Sequence, residues 1–223
     1  MIERIATARL GDYTAHISSG STPRGGETVY LNNGPVMLIR SQNVRMNHLD
    51  LADVAFITEE MNGAMQRSVV QPGDVLLNIT GASIGRVAPF RLTGVRANVN
   101  QHVCIIRAKP DEFDGKYLSF FIISPRFQLE IDRLQRGGTR QALTFGQIAE
   151  FQIPKPSIAE QKRIAAILAK ADGIRRKRRE AHRLTVQLVP SIYNAMFGDP
   201  VTNPKWSVPQ ITSWLLRISG RRR

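Results

Sequence analysis

The segment IPKPSIAEQKRIAAIL, Ile153 to Leu168, constrains this chain more than any other. A short apolar strand meets two prolines there, then a helix start, then helical periodicity. Pro154 and Pro156 end extended structure, because each ring fixes φ and disfavours the α region in the residue before it. Ser157 and Glu160 have capping-box spacing, a serine at the N-cap and a glutamate three residues on that reaches back to it. Ile164, Ile167, Leu168, Ala171 and Ile174 then recur with the helical period. A compact domain therefore ends here and a helical arm begins. The arm is expected from Ser157 to about Gly198, interrupted or kinked at Pro190. About 40 residues at 1.5 Å each span roughly 60 Å, too long to lie within the preceding domain, so the arm must pack on something else. Ile167, Ile174, Ala181, Leu188 and Ala195 fall seven apart, and Ala171, Arg178, Thr185 and Ile192 fill the partner positions. That spacing predicts a broken coiled-coil seam, with Ile167, Ala171, Ile174, Ala181, Leu188 and Ile192 as the pairing residues.

Charge follows the same boundary. The chain carries a formal +13, which points to an anionic partner, most economically nucleic acid. Residues 1–158 hold 17 Lys and Arg against 14 Asp and Glu, whereas residues 159–223 hold 14 against 4. The globular part is nearly balanced, and the arm and tail carry the excess. A single cysteine, Cys104, leaves no intrachain disulfide and no cysteine metal cluster, and His16, His48, His102 and His182 have no ligand spacing. The N-terminus lacks the apolar core of a signal peptide, and no apolar run approaches the roughly 18 residues of a membrane span. The expectation is a cytoplasmic protein that contacts no membrane.

Before the junction the pattern is mixed α/β (α+β). Residues 20–34 read as a loop. Strands are expected at 36–40, 54–58, 75–79, 85–90 and 99–108. Helices are expected at 59–65, at 115–136 with a break near Pro125, and at 144–150, with Asp111 or Asp114 capping the second. Gln71-Pro72-Gly73-Asp74 and Gly81-Ala82-Ser83 are turns by composition.

Several segments, taken in order, resemble a known family. They are Gly20-Ser21-Thr22-Pro23; Val36 to Arg40 followed by Ser41-Gln42-Asn43; Pro72-Gly73-Asp74-Val75-Leu76-Leu77 with Thr80-Gly81 and Ile84-Gly85; Asn100-Gln101; Gly138-Thr139-Arg140-Gln141; and the junction itself with Glu160-Gln161. Together they look like a specificity subunit of a Type I restriction-modification system, or half of one. One departure is Lys155, which separates two prolines that are often closer to adjacent. The resemblance implies a non-catalytic subunit that binds no cofactor. It implies a target-recognition domain over 1–156 that reads double-stranded DNA. It implies a helix over 157–197 that pairs with a second copy and docks methyltransferase subunits, and through them the restriction subunit. Residues 198–223 would then be a linker and the start of a second repeat, since Trp206 to Gly220 restarts the pattern and Ile211 to Gly220 can be laid on Leu10 to Ser18. A two-repeat subunit cut short, or a natural half-subunit, is the expectation.

Base edges are read by Arg, Lys, Asn, Gln, Ser and Thr, with arginine favouring guanine and Asn or Gln favouring adenine. Such side chains cluster in the expected loops: Arg40, Ser41, Gln42, Asn43 and Arg45; Thr80, Ser83 and Arg86; Arg96 and Asn98; Thr139, Arg140 and Gln141. Asn100 belongs to this group or is structural, as is Gln101. His102 and Cys104 have core or surface roles. The run Arg175-Arg176-Lys177-Arg178-Arg179 is a solvated face or meets an acidic surface or DNA phosphate. The turn at Gly81 lacks the Lys-Ser/Thr ending of a phosphate loop. Two alternatives stay open: a stand-alone DNA-binding regulator, and a nuclease relying on Asp74 or Glu160.

Overall fold

Val75-Leu76-Leu77 and Val103-Cys104-Ile105-Ile106 are apolar at every position, as strands covered on both faces must be. Both are buried throughout. A computed structural model of the chain describes residues 6–135 and 142–198. The chain divides into two compact units, residues 1–168 and 169–223.

In chain order the first unit holds β1 (Thr7–Arg9), β2 (Thr14–Ser19), β3 (Val36–Ile39), β4 (Val44–Arg45), β5 (His48–Leu49), β6 (Ala55–Ile57), α1 (Glu59–Ala64), β7 (Val75–Asn78), β8 (Val87–Pro89), β9 (Ala97–Val99), β10 (Val103–Ala108), α2 (Gly115–Ile123), α3 (Pro125–Gln135), α4 (Phe145–Ala149), β11 (Gln152–Pro154) and the start of α5 (Ile158–Phe197). The larger sheet has the order β2-β10-β7-β8 and is antiparallel throughout. A second sheet, β6-β3-β9, pairs β3 with β9 in parallel. Alternation along the central strands divides the core. Val75, Leu77, Cys104 and Ile106 face Leu118, Ile122, Ile131 and Ile148 of α2 to α4. Leu76, Val103 and Ile105 face Ile39, Val99 and Phe90 on the other side. Each such side chain contributes about 1.5–3 kcal/mol when fully buried, so the two-faced sheet is the main source of stability.

The expected strand over 99–108 is two strands. Asn100 is buried, and its carboxamide oxygen accepts from the His102 amide at 3.1 Å. That turn sends β9 to one sheet and β10 to the other. β1, β2 and the β4–β5 hairpin have no counterpart in the sequence reading, because their partly exposed, mixed composition carries no clear period. Asp114, rather than Asp111, caps α2 by accepting from the Tyr117 amide at 2.9 Å.

The junction keeps its cap but loses the reciprocal half. Ser157 Oγ accepts from the Glu160 amide at 3.3 Å, whereas the Glu160 carboxylate turns to Arg163 in two contacts of 2.7 Å. The Arg163 guanidinium lowers the Glu160 pKa accordingly. The complete capping box is at Thr144 and Gln147, ahead of α4. What fixes the start of α5 is Gln161, fully buried. Its Oε1 accepts from the Asp114 amide, and its Nε2 donates to the carbonyls of Glu112 and Pro156, all within 3.0 Å. Tyr117 Oη donates to Pro154 O at 2.9 Å, and β11 pairs with β1. The globular unit therefore includes α5 as far as Leu168.

The second unit, over its described residues, is the remainder of α5. None of residues 170–197 is buried. Pro190 lies inside the helix without interrupting it; the carbonyl it leaves unpaired belongs to exposed Val186 and can be hydrated. The second-repeat match at 206–220 lies outside the described residues. Among the described residues, no helix is long and apolar enough to cross a membrane.

Candidate nucleic-acid interface

Three loops from strands of both sheets converge. The first follows β3, the second joins β7 to β8, and the third joins β9 to β10. They enclose a shallow cleft of about 500 Å³ lined by Ser41, Gln42, Thr80, Gly81, Ala82, Ser83, Arg86 and His102. Among the described residues, none that lines it is acidic. Among the described residues, Arg86 is the one Lys or Arg that lines the cleft, and its guanidinium has no carboxylate partner.

Local chemistry explains why these loops converge. Asn78, buried at the end of β7, donates from Nδ2 to Ser41 O at 2.8 Å and ties the first loop to the second. Gly81 has φ of 71° and Gly85 φ of 83°, so left-handed residues open and close the second loop. The third loop is held by a relay of side chains. Thr22 donates to Gln101 Oε1, and Gln101 Nε2 donates to His102 Nε2 at 2.9 Å. The other ring nitrogen of His102, Nδ1, faces Thr80 Oγ1 at 2.5 Å. The glycine–serine–threonine–proline loop, the Asn-Gln pair and Thr80 are thus one hydrogen-bonded constellation.

The structure brings together Ser41, Gln42, Thr80, Ser83 and Arg86. Other expected readers are engaged elsewhere. Asn43 is buried; its Oδ1 accepts from the Arg40 amide and its Nδ2 donates to the carbonyls of Asp50 and Asp53. Asn98 is fully buried and bonded to Ser68, Asn62 and the Met65 carbonyl. Arg40 is only 12% exposed, beside Asp53 and over the Tyr30 ring. These three are structural, because reaching a base would leave buried groups unpaired. Arg45 pairs with Asp50 and Arg96 with Glu59, outside the cleft. Thr139, Arg140 and Gln141 lie outside the described residues. His102, given only a core or surface role from sequence, lines the cleft; the polar run Asn100-Gln101-His102 between two apolar strands is the signal that could have found it.

The residues of the nuclease alternative have other tasks. Asp74 is buried, accepts from the Gln71 amide, and holds Arg107 at 2.7 Å through both oxygens. That pairing raises the Arg107 pKa. Glu160 is ion-paired to Arg163. Cys104 is buried and its thiol is pushed up to about 12 by desolvation, which makes it a packing residue. Among the described residues, no three His, Cys, Asp or Glu are placed to hold a metal ion.

Comparison with known proteins matches residues 9–182 to the model of the Type I restriction modification DNA specificity domain. The chain is 26% identical over 171 residues to the Type I restriction enzyme EcoBI specificity subunit of Escherichia coli, covering 75% of this chain and 36% of that one. A solved chain of a type I R-M system superposes with a TM-score of 0.62 at 19% identity, over 85% of this chain and 43% of the other. The HsdS subunit from Thermoanaerobacter tengcongensis gives 0.54 at 18%, over 78% and 39%. At these identities the superpositions establish a shared fold of mixed α/β type with a long helix. The chain spans less than half the length of each.

Proposed function

The chain belongs to the Type I restriction modification DNA specificity domain family, and on that premise we propose that it is a DNA-reading component that catalyses nothing itself. The globular part, about 1–156, reads one half of a split target. The helix, about 157–197, pairs with a second copy and docks methyltransferase subunits, through which the restriction subunit joins. Methyl transfer and cleavage belong to those other chains, and the work is cytoplasmic, where the DNA is. The observation that carries this reading is the cleft. Ser41, Gln42, Thr80, Ser83, Arg86 and His102 come from three separate loops, offer donors and acceptors suited to base edges, and include no carboxylate. For the helix, support comes from the exposed face of Ile167, Ile174, Leu188 and Ile192, which are 47–60% exposed.

A two-fold pair would read two inverted half-sites, since protein symmetry is mirrored in the site. The test is to co-express the chain with a methyltransferase subunit of a Type I system and map the methylated bases. We expect a palindromic split site. Arg86→Ala should leave the thermal midpoint unchanged and weaken target binding by about 1–3 kcal/mol, with relaxed discrimination at one base pair. Methylation without sequence preference, or an unaltered motif and affinity in the Arg86 variant, would remove the cleft from the reading.

A further inference from the structure

We propose that α5 carries a second DNA-contacting surface, a cationic ridge that holds the phosphate backbone independently of sequence. The inference rests on the DNA-reading function above and assigns the helix a role besides pairing and docking. Residues 170–183 hold seven Lys and Arg against two acids. At about 100° per residue, Arg175, Arg176, Arg179 and Arg183 fall within one arc of about 100°. The seam residues Ile167, Ile174, Thr185 and Ile192 cluster about 140° away around the helix. A partner seated on the seam therefore leaves the ridge facing water. Arg178 lies in the seam itself, and Lys177 flanks it on the side away from the ridge.

The ridge is only partly neutralised within the chain. Asp172 serves both Arg175, at 3.0 Å, and Arg176, at 3.5 Å. Glu180 serves Arg183 at 2.6 Å. Arg179 has no carboxylate partner among the described residues. The partners differ: Arg175, Arg176, Arg183 and Glu180 are about half exposed or more, so their pairs contribute little in water, whereas the Asp172 carboxylate is 11% exposed and offsets part of the charge of Arg175 and Arg176. DNA fits better than an acidic protein patch for a physical reason. Between residues 172 and 183 the ridge arc holds four arginines and Asp172 and no apolar residue, so a protein contact could use apolar groups only beyond its ends, at Leu168 and Val186. Duplex DNA presents charge at about every 1.7 Å along its axis and needs no such groups.

The test measures the salt dependence of binding of the full chain to target and unrelated duplexes. Arg176→Gln with Arg179→Gln keeps helix propensity, and circular dichroism verifies the fold. We expect the slope of log K against log salt to shallow by about 0.9 for each arginine, equally on both duplexes. Lys177→Gln, on the other side of the helix, should keep the wild-type slope. An unchanged slope in the double variant overturns the ridge, as does an equal loss from Lys177→Gln. Loss of methyltransferase binding with an unchanged DNA slope assigns the surface to protein instead. If the unaltered chain binds neither duplex, the DNA-reading function itself falls, which distinguishes that failure from failure of the ridge alone.

Discussion

Gly20 has no room for a side chain. A Cβ there would lie 1.6 Å from the Val99 carbonyl oxygen, a backbone atom that cannot swing aside. The amide of Gly20 donates to Asn100 O at 3.2 Å, so the end of β2 is pressed against the turn that carries Gln101 and His102. Gly20→Ala must push that turn away. We expect a loss of about 2–3 kcal/mol, seen as a lower urea midpoint with an unchanged slope. Because the displaced turn carries the Thr22–Gln101–His102–Thr80 relay, target affinity should fall with it. At the same scale, Arg40-Ser41-Gln42-Asn43 explains which candidate readers were legible. The stretch is polar throughout, so its loop character and general place in the interface can be read from composition. Its division cannot, since Arg40 and Asn43 turn inward to Asp53 while Ser41 and Gln42 line the cleft. Inward and outward polar residues are the same letters, and even Asp53 does not separate them: its carbonyl takes Arg40 and buried Asn43, while its carboxylate accepts from exposed Gln42 at 2.8 Å, so only burial tells them apart.

At the scale of elements, the junction shows local chemistry and long-range contact acting together. The prolines, Ser157 and the helical period are neighbours in sequence, so the helix start and the strand before it are visible there. The glutamine that locks them acts across 47 and 49 residues, on Asp114 and Glu112. Gln161→Ala would strand a buried amide and two carbonyls. An expected cost of about 3 kcal/mol follows from unpaired buried groups, measured by thermal or urea unfolding. Gln161→Glu should also destabilise, because it retains the acceptor for Asp114 but loses both donations. A Gln161→Ala variant as stable as the parent would mean that Ala165 and β11 fix the helix alone. The same distinction accounts for the elements missed. β7 and β10 were legible because both faces are apolar, and α2 to α4 because Asp114, Pro125 and Thr144 mark their ends. β1 pairs with β11 across more than 140 residues and has one half-buried position, so nothing within it signals a strand.

At the scale of the molecule, the two units differ in what holds them. The first buries its sheet on both faces and closes with the Gln161 lock. The described part of the second is a helix with no buried residue, held by i,i+3 and i,i+4 ion pairs worth a few tenths of a kcal/mol each. Helices of this kind owe most of their stability to tertiary packing, so the free helix should open locally at much lower cost than the globular unit. It also holds seven trypsin sites within residues 170–183. Limited trypsin digestion of the free chain should therefore cut within 170–183 well before the Lys and Arg of 6–135, leaving a fragment ending near Lys170, identified by mass. A partner on the seam supplies the missing packing and DNA on the ridge covers the arginines, so either should slow the cut, and only the effect of DNA should fade as salt rises. Equal cleavage rates in the two units would mean that the helix is stable alone, and the exposed seam would then need no partner to account for its persistence.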